Sequence, residues 1–121
     1  MNAKFLLLFV GLTASYAAYG YKFIFINAIR FPIAVRIKLV DGPSYYQDII
    51  MPNQKHDFNM QHPYEKSALD SAEVAYAEKN TETNEWFMRG WKDINLSKVN
   101  TSANFGYAIT DKNMPVVVDE V

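Results

Sequence analysis

The sequence predicts an all-β domain, an antiparallel two-sheet sandwich of immunoglobulin-like size with seven or eight short strands. Three observations carry that prediction. Runs of aromatic and β-branched residues recur along the chain, several alternating apolar with polar, which is the period-2 signature of a half-buried strand. Turn signals rich in Pro, Gly, Asn and Asp separate these runs. There is no strand–helix–strand alternation of the kind that builds parallel α/β folds. With 121 residues, half of them apolar and 21% charged, the chain has the composition of one folded core. Paired cysteines, a mark of immunoglobulin domains, are absent, so the likeness is one of architecture alone.

The first segment is read as an address. Met1-Asn2-Ala3-Lys4, the apolar run Phe5 to Leu12, and the small residues of Ser15-Tyr16-Ala17 have the order of a secretory signal peptide. Cleavage near Ala17 leaves a single domain, 18–121, and a secreted or periplasmic location. An uncleaved anchor competes, because Phe5 to Tyr21 carries no charge. Thr13, Ser15 and Tyr16 weaken it as a span, and no stable membrane insertion is expected after cleavage.

Tyr21 to Ile29 and Ile33 to Val40 read as the first two strands, broken by Phe31-Pro32. The second places Ile33, Val35, Ile37 and Leu39 on one face and Arg36 and Lys38 on the other. Asp41-Gly42-Pro43-Ser44 is a strong turn signal. Tyr45 to Met51 follows as a third strand ending at Pro52-Asn53, and Lys55 to Met60 as a fourth. Ser67 to Ala77 has the alanine, leucine and glutamate of a short helix, while 72–78 also alternates as a strand. The polar turn Asn80 to Asn84 and the aromatic run Trp86 to Trp91 favour the strand, since together they make a hairpin. Asn104 to Thr110 and Val116 to Val118 complete the strand set.

Chemistry is sparse. Absence of cysteine removes thiolate nucleophiles, cysteine-ligated zinc and disulfides. A formal charge of −1, made more negative when Lys4 leaves with the leader, gives no electrostatic footprint for nucleic acid. No nucleophile elbow, phosphate loop or His-Glu-x-x-His motif occurs. The expected function is therefore a non-enzymatic binding module, without cofactor, whose loops or sheet edge engage a protein or glycan partner.

Two alternatives name residues. His56, Met60 and His62 share a strand face and offer the imidazole and thioether donors that copper prefers, which suggests a copper-binding export protein. Tyr45, Tyr46, Trp86 and Trp91 offer rings on which sugars stack, which suggests a carbohydrate-binding module. On a straight strand Trp86 and Trp91, five residues apart, face opposite sides. Arg30, Arg36 and Lys38 read as a small basic patch protecting a strand edge, and Glu73, Glu78, Glu82 and Glu85 as an acidic hairpin end. Asn95-Leu96-Ser97 and Asn100-Thr101-Ser102 both satisfy the N-glycosylation pattern.

Overall fold

A computed structural model describes residues 20–115. Within them seven strands form two facing sheets: β1 Lys22–Asn27, β2 Ile33–Leu39, β3 Ser44–Ile50, β4 Lys55–Asn59, β5 Leu69–Lys79, β6 Trp86–Asp93 and β7 Phe105–Ile109, followed by a single 3-10 turn, Asp111–Asn113. One sheet has the order β4-β1-β7 and the other β3-β2-β5-β6. The β-sandwich expected from the sequence is thus the fold. The predicted leader and the Val116 to Val118 strand lie outside the described residues, among which no helix is long and apolar enough to cross a membrane.

Two details go beyond the sequence expectation. Residues 67–77 take the strand that the hairpin pattern favours and not the competing short helix: β5 runs from Leu69 to Lys79 between β2 and β6. The helix propensity of its alanines and glutamates is a few tenths of a kcal/mol per residue; ladders on both edges and the burial of Leu69, Ala72, Val74, Ala75 and Ala77 override it. The sheets are also not wholly antiparallel. β1 pairs antiparallel with β4 but parallel with β7, with Phe23 opposite Phe105 and Phe25 opposite Tyr107.

The core fills the space between the sheets. From the three-stranded sheet come Phe23, Phe25 and Phe58, with Phe105 and Tyr107 packed against them. Phe25 sits at the centre of this cluster, its ring 5.9 Å from both Phe58 and Phe105 in edge-on contact and 6.3 Å from Tyr107. Rings of this kind each bury about 150–250 Å². The four-stranded sheet contributes the alternating set Ile33, Val35, Ile37 and Leu39 with Ala72 and Val74, so the period-2 pattern of β2 is realised.

Among the described residues one polar side chain is fully enclosed. Asn27, at the end of β1, is 0% exposed. Its Nδ2 donates to the carbonyls of Phe31 and Ile50 at 2.8 Å each, and its Oδ1 accepts from the Ile29 amide at 3.0 Å. Asn27 backbone groups also bond to Gln54 and Asn53. That turn is set by Pro52 and Asn53: Gln54 N–H reaches Met51 O at 3.0 Å and Asn53 has φ 67°, as a type II turn requires. Just before it Ile49 adopts φ 52°, a conformation unfavourable for a β-branched residue. It coincides with the register shift between β2 and β3, and the kink leaves the next carbonyl, that of Ile50, bonded to Asn27.

Replacing Asn27 with Leu should therefore cost about 3 kcal/mol, since it removes the donor to the buried Ile50 carbonyl and the part-buried Phe31 carbonyl, and the acceptor of the buried Ile29 amide. Asn27→Asp should be similarly damaging, because a carboxylate cannot donate to Phe31 and Ile50. Urea unfolding followed by tryptophan fluorescence measures both.

Candidate functional site

The outward face of the β3-β2-β5-β6 sheet carries the chemistry. Register places Tyr46, Arg36, Glu73 and Asp93 in one row across the four strands. Ser44, Lys38 and Ser71 form the next row. Residues directly opposite across strands point to the same side, so both rows share the face away from the core. Between them lies a shallow cleft of about 350 Å³ lined by Arg36, Ile37, Lys38, Ser44, Ser71 and Glu73.

Trp91 reaches this face through a defect in β6. Arg89 stands opposite Tyr76 and Lys92 opposite Val74, so Gly90 and Trp91 together face Ala75. Gly90 has φ 67°, the left-handed conformation that glycine adopts at no steric cost and that makes this kind of β-bulge. One extra residue resets the alternation. Trp86, opposite Lys79, and Trp91, opposite Ala75, consequently lie on the same face, which corrects the straight-strand expectation that they oppose one another. A glycine inside an aromatic strand was the available signal for this bulge.

Arg36 organises the site. Its Nε and Nη2 donate to the two carboxylate oxygens of Glu73, each at 3.0 Å, in the bidentate geometry that matches a planar fork to a carboxylate. The same guanidinium lies 4.0 Å from the centre of the Trp91 ring, whose other neighbour is Tyr46 at 6.2 Å. The hydrogen bond to Glu73 raises the Arg36 pKa further, despite some opposing desolvation, so it is a permanent cation. Tyr46 is 51% exposed, and its phenol is shifted upward by partial burial and by Asp48, so it stays a neutral hydroxyl. On the same face, further along the strands, Ala34 and Ala75 stand opposite one another and, with Ala77, are buried.

The remaining predicted residues are distributed as follows. Tyr45 points the other way from Tyr46 and packs against the core, as neighbours on a strand must. Trp86 is 36% exposed, at the start of β6, with Lys79 Nζ 5.9 Å from its ring centre. The candidate copper ligands occupy three different environments. His56 is half-buried on edge strand β4, in edge-on contact with Phe58 at 4.5 Å. Met60 is a core residue, and His62 is exposed in the next loop with Nδ1 3.4 Å from Glu65 Oε1. Among the described residues no group of three or more His, Cys, Asp or Glu is arranged to hold a metal ion.

Two charge readings change. Arg36 and Lys38 lie on β2, an interior strand, so they do not guard an edge. Glu73 belongs to the Arg36 site and Glu78 pairs with Arg89 at 3.3 Å, so neither is a bare acidic hairpin end.

Adding a Cβ at Gly90 forces a side chain into the left-handed region, so Gly90→Val should destabilise by about 1–2 kcal/mol and alter Trp91 fluorescence by shifting its ring from Arg36. Thermal melts and emission spectra read the two effects. A second prediction concerns acid. Burial lowers the His56 pKa below its ordinary 6.5, with Asp57 only partly opposing. The unfolded chain then takes up the proton first as pH falls, so stability is full above about 6.5 and declines toward the lower folded value. In His56→Gln this part of the decline should vanish, as denaturant midpoints measured across that range would show.

No protein-family model, curated protein or solved structure matches the chain.

Proposed function

We propose that this protein is an exported, non-enzymatic binding module that holds a glycan against the outward face of its β3-β2-β5-β6 sheet. The observation that carries the reading is the convergence of Tyr46, Trp91 and the Arg36–Glu73 pair beside an open cleft of mixed polar and apolar lining. Sugars present two surfaces, an apolar C–H face and a rim of hydroxyls. Exposed rings bind the first by stacking, and fixed donors and acceptors bind the second. Tyr46 supplies an exposed ring, and Ser44, Ser71 and Glu73 supply hydroxyls and carboxylate oxygens at the cleft. Lys38 adds donors, so the site is equipped for hydroxyl and carboxylate groups alike.

The arrangement is also largely formed in advance. Arg36 is fixed by Glu73 on one side and Trp91 on the other, and the strands beneath it are hydrogen-bonded on both edges. Little side-chain entropy is lost when a ligand binds such a surface. A shallow, open cleft on a sheet face suits a chain of sugars better than a small molecule, which needs deep enclosure.

Titration of the folded domain with a panel of soluble polysaccharides, neutral and uronic-acid-containing, should quench or shift tryptophan emission for at least one of them. Tyr46→Ala and Trp91→Ala should each weaken that binding about tenfold or more, equivalent to about 1.4 kcal/mol. Lys55→Ala, on the other sheet, should leave it unchanged. Absence of any response across the panel, or wild-type affinity in the Tyr46→Ala and Trp91→Ala variants, would refute the reading.

A further inference from the structure

We infer that Asn95 and Asn100 are acceptors of N-linked glycans, an inference that rests on the exported reading above but not on the glycan-binding face. Of the ten asparagines in the chain, only these two are followed at the second position by Ser or Thr. Both fall in the same place, the irregular connection 94–104 between β6 and β7, which is the longest one between described strands.

The structure gives the two sites one geometry. Both asparagines and both serines at the second position, Ser97 and Ser102, are exposed. The residue between them is the anchor in each case. Leu96 packs against the core, and the Thr101 carbonyl accepts from the Leu69 amide of β5 at 3.0 Å. Asn95 Oδ1 accepts from Ser97 N–H at 3.0 Å, and Asn100 Oδ1 from Ser102 N–H at 3.1 Å. Only the oxygen of each amide is engaged, and Nδ2 of each exposed asparagine has no protein partner among the described residues. Structural asparagines differ: Asn27 commits its Nδ2 to two carbonyls and Asn113 to the Tyr107 hydroxyl.

Transfer needs a lipid-diphosphate-linked oligosaccharide as co-reactant. Asparagine Nδ2 attacks the anomeric carbon; a C–N bond forms as the C–O bond to the diphosphate breaks. The bonding pair leaves with the diphosphate, and one Nδ2 proton passes to a base of the transferase. The product amide keeps its Oδ1 and one N–H, so the bonds to Ser97 and Ser102 survive and the fold accommodates both sugars in solvent.

The test is expression of the full chain in a eukaryotic secretory cell, with intact-mass analysis of the secreted protein before and after peptide-N-glycosidase. Ser97→Ala and Ser102→Ala serve as variants because each removes only the hydroxyl and keeps the backbone N–H that bonds the asparagine. The wild type should carry two glycan increments, each single variant one, and the double variant none, with Asn-to-Asp conversion at 95 and 100 after enzymatic release. A secreted wild type without carbohydrate, or increments persisting in the double variant, would overturn the inference. A parallel chain whose residues 1–17 are replaced by a leader of the host separates the two layers. Carbohydrate on that chain but no export of the native one overturns the exported reading and, with it, glycosylation of the natural protein, whereas a bare leader-swapped chain overturns the acceptor assignment itself.

Discussion

The sandwich depends on Asn27. Aromatic packing between the sheets is strong but weakly directional, and a cluster of rings tolerates sliding of one sheet over the other. The enclosed amide does not. It fixes the end of β1 in one sheet to the Ile50 carbonyl at the end of β3 in the other, and to the Phe31 carbonyl in the connection between β1 and β2. In a chain with no cysteine, this polar link does directionally what a cross-sheet disulfide does covalently. Its three bonds also leave the side-chain amide fully satisfied, the condition under which a buried polar group stabilises and specifies a fold. The left-handed Ile49 fits the same account: a strained residue persists where its surroundings over-determine it, and here the next carbonyl is one of the two that Asn27 holds.

From that fixed point the two sheets differ in how readable they were. β2 was legible because its faces differ: Ile33, Val35, Ile37 and Leu39 go inward while Arg36 and Lys38 stay wet. The β5–β6 hairpin was legible because Asn80 closes its turn, accepting from the Glu82 and Thr83 amides. β5 itself was ambiguous, since its alanines suit a helix locally and a crowded sheet centre globally. The parallel pairing of β1 with β7 could not be read at all. Those strands are about eighty residues apart, and such pairing is decided by closure of the whole chain, not by any local pattern in Phe23-Ile24-Phe25 or Phe105-Gly106-Tyr107.

The candidate site was legible by residue type and illegible by direction. Tyr46, Trp86 and Trp91 could be named as candidate aromatics from their type alone, but the face each occupies depends on strand parity, and parity depends on where a bulge falls. Tyr45 illustrates the converse, an adjacent aromatic that alternation turns into the core. Arg36 and Glu73 are 37 residues apart in sequence, and their pairing is a property of the β2–β5 register. No motif could have announced it.

Stability alone gives little reason for this surface. The side chains of Arg36 and Glu73 are 44% and 29% exposed, and an ion pair in that setting contributes roughly 0–1 kcal/mol. Trp91 stacked beneath a guanidinium adds about as much again. Against this the strand accepts a bulge, which interrupts the β5–β6 ladder at Ala75. A Leu or Thr in an unbroken strand would serve the sheet as well. What the bulge accomplishes is alignment, turning Trp91 toward Arg36 and Tyr46 instead of toward the core. Local irregularity that aims a side chain at solvent, at a modest cost to the ladder, is the pattern expected of a surface built for a ligand.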